Sequence, residues 1–309
     1  MAAGGAALVA ILLAAPVRHE VAGLSMAPGL LPGDIVSSGA FPLADRFREP
    51  ARFERWVVAA ADGNALKRIA GLPGERVSIR GGDLVIDGRT ILKSPRVLAE
   101  MASPLPVPGD RGGPDGLRLD AAEVLDDAAF ATEVNRPLWP VRDRGIAAVV
   151  RGGTAAARAE VELAGTRITW RLPAAIRTGI IAGALDGHAV AVAWRLPTAG
   201  VTRHDALPPA APGRWSHAAP WPDAGPKDEA PAVAFIVRDD HGAVVERCTV
   251  WRDVLERPAA DGRDEWRLGE GEYLALGDFP TGSVDSRQWG PLGRDRLRHR
   301  VWPAGAAAR

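Results

Sequence analysis

The composition of this 309-residue chain is that of a folded protein with one large or two ordinary domains. Hydrophobic residues make up 47% and charged residues 25%, and the 38 basic residues balance the 38 acidic ones. This balance, without a strongly basic segment, argues against a nucleic-acid-binding protein. The single cysteine, Cys248, excludes an intrachain disulfide, and the absence of an H-E-x-x-H pattern argues against a zinc peptidase.

An uncharged, largely apolar run occupies residues 2–17 and ends before Arg18. As an α-helix it would be roughly 24 Å long, somewhat short for a bilayer crossing, which usually takes about 20 residues. We favour a transmembrane anchor. The alternatives are a buried helix of a soluble protein and a cleavable secretory signal, but the run lacks the basic start that is typical of such a signal.

Short β-segments separated by turns are predicted to follow the apolar run. Residues 55–60 and 65–70 have the apolar content of buried strands. Residues 76–80 alternate between polar and apolar side chains, and Gly81-Gly82 separates them from the apolar run 84–86. This pattern predicts a β-hairpin.

The middle of the chain differs in composition from its two ends. Proline and glycine cluster at 104–116 and 207–226, which predicts loops or linkers. A helix is predicted at 121–131. Three β-hairpins are also predicted, from residues 158–163 with 166–172, 178–182 with 188–196, and two strands within 232–250.

These patterns predict a mainly β chain with four parts. Residues 1–17 form the anchor, and residues 18–93 and 231–309 form the two parts of a β-rich core. Residues 94–230 form a large β-rich insertion or a second β domain.

The first candidate functional segment, at 23–34, reads G-L-S-M-A-P-G-L-L-P-G-D. Its serine, Ser25, lies in a tight loop bounded by proline and glycine, just after the apolar run. Such a loop can hold a hydroxyl outward and leave backbone N–H groups free to bind an oxyanion. The alternative is an ordinary surface turn with a capping serine.

The second segment, at 65–75, reads A-L-K-R-I-A-G-L-P-G-E and places Lys67 in an apolar, strand-like run. Burial there would disfavour the ammonium and lower the lysine pKa, as a general base requires. Arginine cannot be deprotonated in a protein, so the candidates for a basic amine are Lys67, Lys93 and Lys227. Alternatively, the Lys67 stem packs on the sheet while its amine reaches water.

The third segment, at 273–290, leads from an apolar strand into a loop rich in hydroxyls and carboxylates. Asp285 and Arg287 can form an ion pair in this loop. The hydroxyl of Ser283 can orient a lysine amine by hydrogen bonding. The alternative is a charged surface loop.

Taken together and in this order, the three segments resemble the most recognisable boxes of type I signal (leader) peptidases. Those boxes read S-M-x-P-T-L with a downstream G-D, K-R-x-x-G-L-P-G-D/E, and G-D-N-x-x-x-S-x-D-S-R-x-W-G. The resemblance covers about 40 residues, together with the strands between the first two boxes. It implies a signal-peptidase-like β catalytic core on an N-terminal anchor helix.

The resemblance also implies roles for individual residues. Ser25 is expected to be the nucleophile and to donate its backbone N–H to the oxyanion, with Lys67 as the general base. Ser283 is expected to orient the lysine. Four further residues of the third segment are expected to support the site: Gly277, Asp278, Asp285 and Arg287.

The chain departs from the family pattern in three respects. Gly29 stands where threonine is usual, and residues 279–282 (F-P-T-G) replace a polar run. The middle section is longer than a minimal member of the family needs. Neither residue of the serine–lysine dyad is lost, but the altered loop leaves the geometry around Ser283 open.

The function implied is cleavage of signal peptides from exported preproteins through an acyl-enzyme, without metal or cofactor. Small residues are expected at positions −1 and −3 before the cut. The expected location is the cell membrane, spanned once, with the catalytic domain in contact with lipid on the extracytoplasmic side.

Two alternatives belong to other classes of protein. A self-cleaving serine–lysine protease of the SOS-repressor kind would need a DNA-binding N-terminal part, which the 24 mostly apolar residues before Ser25 do not resemble. A non-catalytic, membrane-anchored relative would use the insertion as a binding module.

Overall fold

The strands and helices come from a computed structural model that describes part of the chain. The described residues are 16–39, 45, 47–61, 63–105, 117–119, 125–126, 137–141, 143–151, 158–163, 166–171, 178–186, 189–195, 217–220, 233–238 and 244–303. They form antiparallel sheets with few helices, which confirms the mainly β prediction.

In chain order the strands are β1 (Val17–Glu20), β2 (Ile35–Ser38), β3 (Arg55–Ala60), β4 (Gly63–Gly71), β5 (Arg76–Arg80), β6 (Asp83–Ile86), β7 (Arg89–Thr90), β8 (Ser103–Leu105), β9 (Leu117–Leu119), β10 (Arg144–Arg151), β11 (Arg158–Leu163), β12 (Thr166–Arg171), β13 (Thr178–Asp186), β14 (Ala189–Arg195), β15 (His217–Pro220), β16 (Val233–Arg238), β17 (Val244–Arg252), β18 (Glu265–Arg267), β19 (Glu272–Leu276), β20 (Leu292–Gly293) and β21 (Leu297–Pro303). The helices are α1 (Pro95–Met101), α2 (Ser286–Trp289) and a 3-10 helix (Arg294–Arg296).

The chain divides into two compact units. Unit 1 comprises Met1–Arg89 and Glu256–Arg309, and unit 2 comprises Thr90–Leu255. The functional division made from the sequence, with an insertion at 94–230, stays a prediction. Strands β16 and β17, which follow residue 230, lie in unit 2.

The predicted anchor falls almost entirely on residues that the structure does not describe. Of residues 1–17, only the last two are described, and Val17 begins strand β1 rather than ending a helix. Within the described ranges, no helix has the length and apolar character needed to cross a membrane.

Unit 1 is built on a seven-stranded sheet with the order β1-β2-β21-β3-β4-β19-β20. Strands β3 and β4 confirm the two buried strands predicted at 55–60 and 65–70, and they pair with Trp56 opposite Lys67. Each face of the sheet carries its own apolar cluster, because alternate side chains point to opposite faces. One cluster contains Trp56, Val58, Ile69, Tyr273, Ala275, Leu292 and Leu297. The other contains Val21, Met26, Leu30, Val36 and Val301.

A second sheet in unit 1 has the order β18-β5-β6-β7. Its central pair is the predicted hairpin, with Val77 opposite Ile86 and Ile79 opposite Leu84. Gly81 and Gly82 both have positive φ in the turn, 61° and 98°. Glycine adopts this conformation without the steric cost of a Cβ atom, which explains the Gly-Gly pair.

Unit 2 contains a six-stranded sheet, β15-β14-β13-β10-β17-β8, and a four-stranded sheet, β12-β11-β16-β9. Strand pairs β11–β12 and β13–β14 confirm two of the predicted hairpins. The third, within 232–250, is wrong: β16 pairs with β11 and β9, whereas β17 pairs with β10 and β8. Local alternation identifies strands but does not select their partners, and these partners are distant in the chain.

Two further predictions in the middle of the chain have different outcomes. Residues 217–220 form strand β15, paired with β14, inside the predicted linker at 207–226. The helix predicted at 121–131 lies outside the described residues apart from 125 and 126, and Leu125 forms a β-bridge with Pro140.

Candidate active site

The loop that carries Ser25 connects β1 to β2 and is held down by its own apolar side chains. Met26 and Leu30 are buried in the apolar cluster that also contains Val36. The N–H of Leu30 donates to the Met26 carbonyl oxygen at 2.9 Å. Ser25 is half-buried beside these anchors. The sequence positions this serine because the apolar residues next to it fix the loop on the sheet.

The end of β19 meets this loop through backbone contacts. The N–H of Phe279 donates to the Ser25 carbonyl oxygen at 3.1 Å. A Cβ atom built on Gly277 would lie 2.5 Å from the Ser25 oxygen and 2.6 Å from the Ser283 Cβ, and it would overlap the Ser283 Oγ. Gly277 is therefore in close contact with both serines, and the absence of its side chain makes room for them.

Ser283 reaches this position through the altered loop. The N–H of Gly282 donates to the Phe279 carbonyl oxygen at 3.0 Å, which closes residues 279–282 into a turn. The turn returns the chain so that Ser283 lies beside Gly277. The replacement F-P-T-G is thus compatible with a serine hydroxyl at this place.

The Ser283 hydroxyl is buried, and its Oγ has no hydrogen-bond partner among the residues that the structure describes. Nearly all buried polar groups in native proteins are hydrogen-bonded, because an unpaired one costs about 1–3 kcal/mol. A buried hydroxyl with free capacity beside the Ser25 loop is a feature expected of a functional site.

Lys67 is 3% exposed and lies on the face of the large sheet that carries the cluster around Trp56, whereas Met26 and Leu30 of the Ser25 loop belong to the cluster on the other face. Its strand neighbours on that face, Ala65 and Ile69, belong to the cluster around Trp56 or pack against it. The alternative in which the amine of Lys67 reaches water does not fit this burial. The Lys67 Nζ lies 5.9 Å from the ring centroid of Trp289, within cation–π range.

The register of the sheet places the Lys67 strand beside the strand that leads to Gly277. Strand β19 pairs with β4 so that Leu276 lies opposite Arg68. Gly277 directly follows Leu276, and Lys67 directly precedes Arg68, so both residues lie at the end of this pairing. This pairing joins the second and third segments, and the Ser25 loop contacts the third segment at Gly277 and Phe279.

Asp285 and Arg287 form the predicted ion pair, and both are buried. Asp285 accepts from Arg287 Nε at 2.9 Å and from Nη2 at 2.5 Å. Burial by itself lowers the pKa of Arg287, but the hydrogen bonds and charge of Asp285 and the charge of Glu256 raise it above its ordinary value. Arg287 is therefore a permanent cation at this place.

Asp285 has two further tasks. It is the N-cap of helix α2, with a capping box completed by Gln288, whose side chain accepts from the Asp285 N–H at 2.9 Å. Its Oδ2 also accepts the N–H of Gly277 at 2.9 Å. The ion pair thus holds the backbone at the point where the serines meet.

A second buried ion pair joins the second and third segments. Arg68 donates to Asp278 through Nε at 2.7 Å and through Nη2 at 2.6 Å. Arg68 also donates to the Phe53 carbonyl oxygen at 2.7 Å. Asp278 was predicted from the sequence as a supporting residue, whereas Arg68 was not. The K-R pair at 67–68 and the G-D pair at 277–278 were the motifs that could have indicated this ion pair.

Two other residues at the site had no role in the sequence analysis. Trp289 was present in the third segment, but nothing in the pattern pointed its ring toward Lys67. Glu256, close to Arg287, lies outside all three segments. No set of three or more His, Cys, Asp or Glu side chains that can hold a metal ion occurs among the described residues.

The fold and site define a mainly β protein in which the Ser25 loop and the third segment meet at Gly277, after the end of strand β19. Residues 1–130 match the family model described as signal peptidase, peptidase S26. The match bears out the resemblance found in the sequence and supports the type I signal peptidase family for this chain. No curated protein matches the chain.

The family match supports a peptidase of the serine type with preproteins as its substrates. It includes Ser25 and Lys67, whereas Ser283 and the two ion pairs lie beyond residue 130. The evidence that the third segment belongs to the site therefore comes from the structure and not from the family match.

Proposed function

We propose that this chain is a membrane-bound serine endopeptidase that removes signal peptides from exported preproteins, with Ser25 as nucleophile and Lys67 as general base. One observation carries the proposal: the Ser25 loop and the Ser283 hydroxyl, which has no hydrogen-bond partner in the described part of the chain, both contact Gly277, after the end of the strand that pairs with the Lys67 strand. The family match supports the same chemistry.

Acylation begins when the uncharged Lys67 amine takes the proton of the Ser25 hydroxyl. The Ser25 Oγ attacks the scissile carbonyl carbon, and the Ser25 N–H stabilises the resulting oxyanion. Loss of one such donor typically raises the barrier by about 3–4 kcal/mol. The Lys67 ammonium then gives its proton to the leaving amine, and the signal segment stays bound to Ser25 as an ester.

Deacylation repeats the same proton movements with water as the nucleophile. Lys67 takes a proton from the water, which attacks the ester carbonyl, and returns it to the Ser25 Oγ. In this scheme Ser283, whose Oγ has no hydrogen-bond partner among the described residues, supplies the hydroxyl that orients the lysine amine when substrate binds. The Trp289 ring, 5.9 Å from the Lys67 Nζ, stabilises the ammonium that forms in an apolar setting.

Arg68, adjacent to Lys67, has a different task in this scheme. Its guanidinium is paired with Asp278 and does not lose its proton near neutral pH. Lys67 and Arg68 lie on opposite faces of strand β4, because successive side chains alternate. The arginine fixes the strand, and the lysine carries the proton.

The location and substrate follow from the position of Ser25. The nucleophile follows the apolar run 2–17 closely, so a single-pass anchor would hold it near the lipid surface, where signal segments end. We propose that the catalytic unit lies on the extracytoplasmic side and accepts small residues at −1 and −3.

The decisive experiment is cleavage of a model preprotein by the purified full-length protein in detergent. We expect Ser25→Ala, Lys67→Ala and Lys67→Arg to abolish cleavage, because each removes the nucleophile or the deprotonatable amine. Ser37→Ala, which removes a buried hydroxyl on β2, is the matched control and should cleave normally. Normal cleavage by either Lys67 variant would contradict the assignment.

The alternative, a non-catalytic anchored relative, is favoured by the departure from the family at residues 279–282. It predicts that the wild-type protein, folded and pure, leaves every model preprotein intact. The same assay therefore separates the two proposals.

A further inference from the structure

Glu256 is a buried carboxylate at the point where the chain returns from unit 2 to unit 1. It is 3% exposed, and its Oε2 lies 3.5 Å from Arg287 Nη1. Its backbone N–H donates to the Gly82 carbonyl oxygen at 2.8 Å, in the turn between β5 and β6. The backbone at residue 256 is therefore held independently of the side chain.

The Arg287 guanidinium is held from two directions. Asp285 accepts from Nε and Nη2. The remaining nitrogen, Nη1, faces Glu256 and the Arg257 carbonyl oxygen, each at 3.5 Å. Because the guanidinium is planar and rigid, the charge of Glu256 on one side and the hydrogen bonds to Asp285 on the other restrict its orientation more than Asp285 alone.

A continuous series of contacts leads from Glu256 to the serines. Arg287 holds both oxygens of Asp285, and Asp285 Oδ2 accepts the Gly277 N–H at 2.9 Å. Gly277 in turn contacts the Ser25 carbonyl oxygen and the Ser283 side chain. A change in the orientation of Arg287 would therefore be transmitted to the backbone on which both hydroxyls depend.

We propose that Glu256 is a positioning residue of the peptidase, which fixes Arg287 from the side opposite to Asp285 and thereby holds Gly277, Ser25 and Ser283 in register. This inference rests on the proposed function. Glu256, the first residue after unit 2, would then help to position the catalytic residues through Arg287.

The test compares Glu256→Gln, Glu256→Ala and Glu256→Asp in the full-length enzyme with a model preprotein. We expect kcat to fall about tenfold to a hundredfold in Glu256→Gln and Glu256→Ala with KM unchanged, since small displacements of catalytic groups cost this much. Glu256→Asp should restore part of kcat. Amide hydrogen exchange at Gly277 should become faster in the two slow variants.

Glu265→Gln is the matched control, because it removes the same charge from a partly exposed carboxylate near Arg80 and Arg267. It should keep wild-type kcat. If Glu256→Ala fails to fold, Glu256→Gln carries the test alone, since it keeps the size of the side chain and removes its charge. Wild-type kcat and wild-type Gly277 exchange in Glu256→Gln would overturn the inference.

The two proposals fail in different ways. If Ser25→Ala and Lys67→Ala still cleave, the proposed function is wrong. If those variants are inactive while Glu256→Gln behaves as wild type, only the role of Glu256 is wrong.

Discussion

Gly277 has no room for a side chain, because a Cβ atom there would collide with Ser25 and Ser283. It contacts Ser25 and Ser283 through space that any Cβ atom would fill. Its N–H is also held by Asp285. The two residues of the G-D pair in the third segment therefore have different roles. Gly277 leaves space for Ser25 and Ser283, and Asp278 forms an ion pair with Arg68.

Gly277→Ala should lower the cleavage rate by about a hundredfold or more, because the added methyl group displaces both serines. Overpacking of this kind should also destabilise the fold by about 1–3 kcal/mol. Preprotein cleavage and thermal unfolding measure the two effects. Gly39→Ala, where the nearest atom is 4.0 Å from the added Cβ, is the control and should change neither. Full activity in Gly277→Ala would contradict the close approach.

Tyr273 provides a direct view of the core beside the site, because it is the single tyrosine of the chain. Burial, together with the hydrogen bond to Glu49 and the charge of Glu49, raises the pKa of Tyr273 to about 12. The charge of Arg294 acts in the opposite direction and lowers this pKa. Its hydroxyl donates to the Glu49 Oε2 at 2.5 Å. The neutral phenol is therefore the form that the folded state favours.

We expect the near-ultraviolet absorbance of tyrosinate to titrate with a midpoint near 12 in the folded protein, against 10.0 for an ordinary tyrosine. The unfolded chain loses this proton first. The raised pKa of Tyr273 therefore stabilises the folded state fully below pH 10. This stabilisation, on the order of 2 kcal/mol, is lost as the pH rises toward 12. Glu49→Gln should lower the midpoint, and an unchanged midpoint would exclude Glu49 as a cause.

At the scale of elements, two buried ion pairs connect strands and segments that are far apart in the chain. Arg68 and Asp278 are separated by 210 residues and join β4 to the loop after β19. Arg287 and Asp285 tie helix α2 to the end of the same strand. Together they fix the loop 277–287 at the edge of the sheet.

Removal of one partner of the Arg68 pair should be strongly destabilising, since it leaves an uncompensated buried charge. We expect Asp278→Asn to lower the free energy of unfolding by about 3–5 kcal/mol, as measured by denaturant titration. Asp264→Asn, at an exposed pair with Arg80, should cost less than about 1 kcal/mol. Equal losses in the two variants would contradict the importance of burial.

The strand pairings of unit 2 show the limit of reasoning from local pattern. Strands β16 and β17 follow one another in the chain, yet they belong to different sheets. Each is completed by strands from earlier in the chain. A hairpin prediction assumes that neighbours in sequence pair, and here each strand pairs with other strands instead.

At the scale of the whole molecule, the anchor remains the main prediction to test. Deletion of residues 2–17 should release the protein from membranes, because the longest apolar run is removed. Carbonate extraction measures this directly. Replacement of the same residues by an unrelated apolar helix should restore membrane residence. Retention of the deleted variant in the carbonate-resistant fraction would place the membrane contact elsewhere in the chain.

The sequence by itself determined the mainly β class, the strands at 55–60, 65–70, 76–80 and 84–86, and the three segments that carry Ser25, Lys67 and Ser283. These features are local, because side-chain alternation, turn residues and short motifs act over a few neighbouring positions. Only the tertiary structure decided the burial of Lys67, the partner of Asp278 and the place of Glu256. Such contacts join residues up to 210 positions apart, and the packing of whole sheets, rather than local periodicity, brings them together.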